Sequence, residues 1–286
     1  MTGFLATIAE PLAYDFMWRA MGVGVFISVL CAVLSCFIVL KGWALVGDAL
    51  SHAVLPGIVV AYVAGLPLVL GAAASGLACV WLAGAANGRT RVKPDALLGI
   101  SFTGFLAVGL ILMVATPSEI HFMHVLFGNL LGIETAAILQ VLAVGVPTLA
   151  IVLAWRKDLV LAAFDPAQAR VIGLSPVRLE LLLLALTAFT VVVAMQAVGI
   201  ALVMAMLVTP GCIGRLLADR FDRMLIAAAS SAAFATALGT LASFWADGAT
   251  GATIVLVQAT LFVLAFLFAP RRGLLARHRA VARAGS

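Results

Sequence analysis

From about residue 18 to residue 269 the chain is a succession of apolar runs, most of them near twenty residues long, separated by short loops that collect its basic residues. A helix rises 1.5 Å per residue, so about 20 apolar residues are what it needs to cross the hydrocarbon core of a bilayer. Repetition of that unit along nearly the whole chain excludes an ordinary soluble fold. Composition agrees: 65% of residues are hydrophobic and 10% charged, against about 45–50% and about 25% in soluble domains. The fold expected is all-α and polytopic. The net charge of +5 does not imply a nucleic-acid partner, because the basic residues lie in short clusters between apolar runs, as cytoplasmic loops do. Cys31, Cys36, Cys79 and Cys212 lie in or beside apolar runs without CxxC spacing, so they read as packing residues. The first residues carry Glu10, Asp15 and Arg19, with no basic start and no A-x-A site, so no cleaved signal peptide is expected.

The loops set the topology. Spans are expected at about 18–40, 46–64, 67–86, 96–115 and 136–155. Arg89, Arg91 and Lys93 put the loop after the third span in the cytoplasm, and Arg156 and Lys157 do the same after the fifth. The loop beyond Thr116-Pro117 has no Lys or Arg but holds Glu119, His121 and His124, so it faces outward. Basic residues bracket the stretch 180–217 on both sides, so it must enter and leave the membrane, breaking near Gln196–Gly199. Two full crossings need about 40 residues, so one arm of this stretch is expected to be short. Spans at about 224–245 and 252–269 complete a count of nine crossings, eight if the short arm is discounted. The N-terminus is then outside and the C-terminus, with Arg271, Arg272, Arg277, Arg279 and Arg283, inside. The chain reads as one transmembrane domain over residues 1–286. Lys41, Lys93 and Lys157 are not followed by Ser or Thr, so there is no Walker motif and the chain is not itself expected to be an enzyme.

Against this background Gly47-Asp48-Ala49-Leu50-Ser51-His52-Ala53-Val54-Leu55-Pro56-Gly57 stands out. Asp48 and His52 are four apart, so a helix projects them from one face. An oxygen and a nitrogen ligand together suit a borderline divalent cation such as manganese, iron or zinc, and ionisable groups at membrane depth mark function. The residues alone also admit a plainer reading, in which Asp48 caps a helix at the membrane interface and His52 is solvated.

A second segment, Phe164-Asp165-Pro166-Ala167-Gln168-Ala169-Arg170-Val171-Ile172-Gly173-Leu174-Ser175-Pro176, carries both ends of a short cytoplasmic helix. Asp165 suits the N-cap, Pro166 the first helical position, and Gln168 the return half of a capping box. Gly173 suits the C′ position and Pro176 stops continuation. So short a helix is marginal alone, and Phe164, Val171 and Ile172, with Arg170, are anchors for docking on a partner or on the membrane surface.

These two segments resemble the membrane permeases of the ABC-3 metal-cation importers, which handle manganese, zinc and iron. Further matches run in the family's order through Leu40–Trp43, residues 91–112, His121–Ile133, Gln196–Gly211, Leu216–Leu225 and Asp247–Gly251. The resemblance implies a type II ABC importer fold in a bacterial inner (plasma) membrane. It implies a pore of two permease subunits, a homodimer or a pair with a paralogue, with separate ATPase subunits binding ATP beneath and an extracellular or periplasmic binding protein delivering the metal. No cofactor is expected on this chain; Mn2+, Fe2+ or Zn2+ is cargo. Asp48 and His52 match residues proposed to bind the metal in transit, and residues 165–173 match the coupling helix. Asp247 matches an acidic residue before the last span. Thr209-Pro210-Gly211, Asp219-Arg220-Phe221 and the His121/His124 pair resemble the manganese/iron branch, while Cys212, Ile213 and Arg215 depart from its small-residue run. His121 and His124 are candidates to pass metal inward, or simply docking or loop residues. The rival readings are a siderophore/cobalamin-type permease and an ATPase-independent metal channel. The first is disfavoured by the small Asp48/His52 ligand set, the second by the capped cytoplasmic helix.

Overall fold

A computed structural model of the chain describes residues 10–43, 46–86, 94–116, 130–246, 248–269 and 273. Among these there is no strand. A 3₁₀ turn at Glu10–Ala13 leads into α1 (Asp15–Lys41), α2 (Val46–Ala53), α3 (Leu55–Val63), α4 (Leu68–Ala86) and α5 (Pro94–Ala115). After these come α6 (Thr135–Ala154), α7 (Arg156–Phe164), α8 (Pro166–Val171), α9 (Pro176–Val198), α10 (Ile200–Leu217), α11 (Phe221–Ala246) and α12 (Thr250–Phe268). Among the described residues seven helices, α1, α4, α6, α9, α10, α11 and α12, are long and apolar enough to cross a membrane. Two shorter apolar stretches, Ala49–Val63 and Gly99–Ala115, fall in α2–α3 and α5. Together they account for the nine apolar runs of the sequence, and the chain is an all-α polytopic membrane protein.

Two details differ from the expectation. The stretch 180–217 does not hold a short arm: α9 starts at Pro176, giving a 23-residue helix followed by the 18-residue α10. Proline is pre-organised for the first helical position, so the helix begins a turn before its apolar run does. The link between α9 and α10 is Gly199, inside the expected Gln196–Gly199 break. The short member is instead the second run, which is divided at Val54 into the eight-residue α2 and the nine-residue α3.

The chain folds as two compact units. The first comprises Met1–Cys36, Leu126–Leu139 and Ala197–Ser286. Here α10, α11 and α12 pack on one another. In the absence of a hydrophobic drive between lipid-embedded helices, close packing of small residues holds them. A Cβ added at Gly239 of α11 would lie 2.6 Å from Ile254 Cα of α12, and one at Gly211 of α10 would lie 2.6 Å from the Ser35 carbonyl oxygen of α1. Pro210 interrupts the hydrogen-bond ladder of α10, and Ser35 repairs it. Its hydroxyl donates to the Val208 carbonyl at 3.2 Å and accepts the Gly211 N–H at 3.0 Å. Helix-breaking residues survive at membrane depth when a neighbour re-satisfies the backbone in this way.

The second unit comprises Phe37–Val125 and Gln140–Gln196. In it α2, α3, α4 and α5 pack on one another. The start of α9 is joined to the end of α1 by the Lys41–Glu180 ion pair at 3.5 Å, with the Lys41 ammonium 5.3 Å from the Trp43 ring centroid.

Candidate functional site

The expected second span is interrupted at Val54, which separates α2 from α3 but keeps helical angles, φ −78° and ψ −19°, so the chain is kinked there. The cause is Pro56 at the start of α3. Proline has no N–H to give to the carbonyl four residues back, here that of His52, and its ring crowds that carbonyl. The next carbonyl, of Ala53, receives the Ser75 hydroxyl of α4 at 2.6 Å, in a buried bond. The ladder resumes with the Ile58 N–H on the Val54 carbonyl at 3.0 Å. Neighbours clamp the kink. Gly57 and Gly71 bring α3 and α4 together backbone to backbone, leaving no room for a Cβ at either. On α5, a Cβ at Gly109 would lie 2.9 Å from Leu55 Cβ and 3.0 Å from Pro56 Cδ.

His52 sits in the last turn of α2, half-buried, its ring stacked on Phe102 of α5 with centroids 6.2 Å apart. Asp48 lies one helical turn earlier on the same helix, so the backbone gives the two positions one face. Helix α2 begins at Val46, so Asp48 stands inside its first turn rather than ahead of it as a cap. Around the pair, Ala49, Leu50, Ser51 and Ala53 are all buried, and the Ser51 hydroxyl donates back to the Gly47 carbonyl at 2.8 Å. Among the described residues no group of three or more His, Cys, Asp or Glu side chains gathers as a metal cage. His121, His124 and Asp247 lie outside the described residues.

The segment 164–176 folds as read, with one difference. Helix α8 (Pro166–Val171) starts on the Asp165 carboxylate, which accepts the Gln168 N–H at 2.9 Å. The return half of the capping box does not form, because Asp165 is also the C-cap of α7 and gives its N–H to the Leu161 carbonyl at 2.8 Å. At the other end Gly173, with φ of 86°, donates to the Arg170 carbonyl at 3.0 Å. Leu174 N–H reaches the Ala169 carbonyl at 2.9 Å. This pair of bonds is a Schellman ending, whose left-handed residue is glycine because a Cβ would strain it. The cap, α8 and its ending together hold out Phe164, Arg170, Val171 and Ile172, with Val171 79% exposed and Phe164 60%. Three large apolar side chains and one cation stand bare on this turn as an exposed knob.

The family model of the ABC 3 transport family matches residues 13–269 of this chain. The chain belongs to that family. Within the family it is 48% identical over 270 residues to the manganese transport system membrane protein MntB of Synechocystis, covering 94% of this chain and 88% of that one. It is also 48% identical over 268 residues to the chelated iron transport system membrane protein YfeD of Yersinia pestis, covering 94% and 90%. The solved structure of PsaBC from Streptococcus pneumoniae in complex with Fab aligns with a TM-score of 0.84 at 31% identity, covering 97% of this chain and 99% of that one. The architecture is that of an ABC transporter permease.

Sequence reasoning had pointed to Asp48, His52 and the α8 knob. It had not pointed to Ser75, Phe102, Gly71 or Gly109, which build the walls of the kink. Their only signal in the sequence is a small or aromatic residue inside an apolar run, and such residues are common in membrane helices generally.

Proposed function

We propose that the chain is the membrane permease of an ATP-driven importer of divalent transition-metal cations, manganese or ferrous iron first and zinc as the alternative. The observation that carries the reading is the proline kink at Val54–Pro56, which bends a membrane helix directly after Asp48 and His52. Pro56 offers no N–H to the His52 carbonyl, so the kink sets a backbone oxygen beside the two positions. Adding one carboxylate and one imidazole gives a donor set that a borderline first-row ion accepts and that a large organic ligand does not need. The relatives named for manganese and chelated-iron transport support the same cargo.

In this reading the whole chain acts as a single permease domain in a bacterial inner or plasma membrane, N-terminus outside and C-terminus in the cytoplasm. An extracellular or periplasmic binding protein delivers the ion, with His121 and His124 of the outer loop as candidates to receive it. Asp48 supplies an oxygen and His52 a nitrogen in transit. Phe102 keeps the imidazole in one orientation, α2 keeps both donors one turn apart, and Ser75 and the glycine contacts hold the kink that follows them. A second permease subunit, a copy of this chain or a paralogue, completes the pore. ATP is bound and hydrolysed by a separate ATP-binding cassette subunit that docks on Phe164, Asp165, Arg170, Val171, Ile172 and Gly173. Vectorial transport then follows from two global states with different affinity for the metal.

Reconstitution tests the driving force. The purified complex in liposomes should accumulate manganese only with ATP on the ATPase side, and lose ATP-driven uptake when the Phe164, Val171 and Ile172 side chains are cut to alanine. Metal flux through the permease alone, undiminished by that triple variant, would assign the chain to the channel class instead.

A further inference from the structure

Within the first unit lies a polar cluster that the transport reading does not use. Thr236 and Thr240 are one turn apart on α11 and 0% exposed, and Gln258 near the midpoint of the 19-residue α12 is 1% exposed. Among the described residues neither threonine hydroxyl has a hydrogen-bond partner, nor has either polar atom of the Gln258 amide. The other buried hydroxyls of the membrane helices behave differently. Those of Ser51, Thr187 and Thr190 each donate to the carbonyl four residues back at 2.8 Å, and Ser243 donates to the Thr240 carbonyl at 2.8 Å.

The register of α11 and α12 sets the orphaned groups at neighbouring levels. The Ser243 and Thr250 hydroxyls are hydrogen-bonded to each other at 3.1 Å, and Gly239 lies against Ile254. One more turn along this antiparallel pair sets Gln258 level with Ala235 and Thr236. Thr236 turns its methyl toward Gly24 of α1, 3.1 Å from where a Cβ would stand.

We propose that Thr236, Thr240 and Gln258 form a buried hydration site that holds ordered water between α11 and α12 at membrane depth. Buried polar groups in native proteins are nearly always bonded, and an orphan pair on facing helices calls for a bridging ligand. The chemistry selects water over a cation. The site offers an amide NH2 that can only donate, an amide oxygen that can only accept, and two hydroxyls that do both. Water answers all of them. A cation bound to the oxygens would face the amide hydrogens with like polarity, and the site has no carboxylate, imidazole or thiolate to hold a first-row metal.

Two measurements test this on the full chain in lipid nanodiscs. A map at a resolution that shows ordered water should place a peak about 2.7–3.2 Å from the Gln258 amide and from a threonine hydroxyl. A Gln258 amide bonded directly to protein, or packed dry, overturns the proposal. The second measurement is the Tm of Gln258→Met and of Thr236→Val, each close in shape to the native side chain. With water bound, either change strands the water and the remaining groups, and Tm falls by a few degrees. In a dry cluster the same changes remove unsatisfied groups, so a Tm that is unchanged or raised overturns the hydration site.

Discussion

Replacing Asp165 with alanine separates the shape of the α8 knob from its surface. The wild-type carboxylate accepts the Gln168 N–H at 2.9 Å and starts a helix of six residues. So short a helix has no reserve stability of its own, and loss of an N-cap costs about 1 kcal/mol. Since 1.4 kcal/mol is a factor of ten, the formed fraction of α8 falls about fivefold once the helix is no longer predominantly formed. Docking that needs the formed helix weakens in proportion to that fraction. The assay is the affinity of the purified ATPase subunit for the permease held in nanodiscs. Asp165→Ala should raise Kd by up to about fivefold, while Asp165→Asn, an equally good cap, should stay near wild type. If asparagine weakens binding as much as alanine, the carboxylate acts by its charge on the partner and the capping argument is wrong. If alanine binds like wild type, α8 is held by something other than its cap.

Two further changes test the walls of the kink. Gly57→Ala puts a Cβ onto the Gly71 backbone, where nothing flexible can yield, and should cost at least about 1–3 kcal/mol by overpacking, read as a lower Tm and reduced yield; wild-type Tm would contradict the close α3–α4 contact. Ser75→Ala removes the hydroxyl from the Ala53 carbonyl and should destabilise by about 1–3 kcal/mol, with a weaker apparent affinity for manganese in uptake; unchanged stability and affinity would mean that the carbonyl finds another partner at no cost.

Much of this architecture is written in short-range chemistry, and that part is legible. Apolar runs, basic loops and the Asp165-Pro166…Gly173 punctuation report local rules that act within a few residues. The α9–α10 link at Gly199 falls where the loop charges demand a turn. What escaped reading depends on distant partners. The sequence 46–64 is apolar enough to pass for one helix, and Pro56 alone does not decide between a kink and a break. The kink is stabilised from elsewhere in the chain, by the Ser75 hydroxyl and by the room that Gly71 and Gly109 leave. The capping box failed for a related reason: Asp165 N–H was already committed to Leu161 of the preceding helix, and α7 carries no apolar periodicity to announce it. Pro210 stands inside α10 with Ser35, far away in sequence, taking the Gly211 N–H. The position of α2 among buried neighbours likewise could not be read from Asp48 and His52 alone.

The central claim is that the ion passes by Asp48 and His52 at the kink in the second span. Uptake of radioactive manganese by cells expressing the chain with its ATPase and binding protein, with iron and zinc as competitors, tests it most directly. The Asp48→Ala, His52→Ala and double variants would be run alongside, each checked for intact assembly with the ATPase. The account predicts that the assembled double variant takes up no metal above background. Uptake at the wild-type rate in that variant would contradict it and move the metal path to other residues.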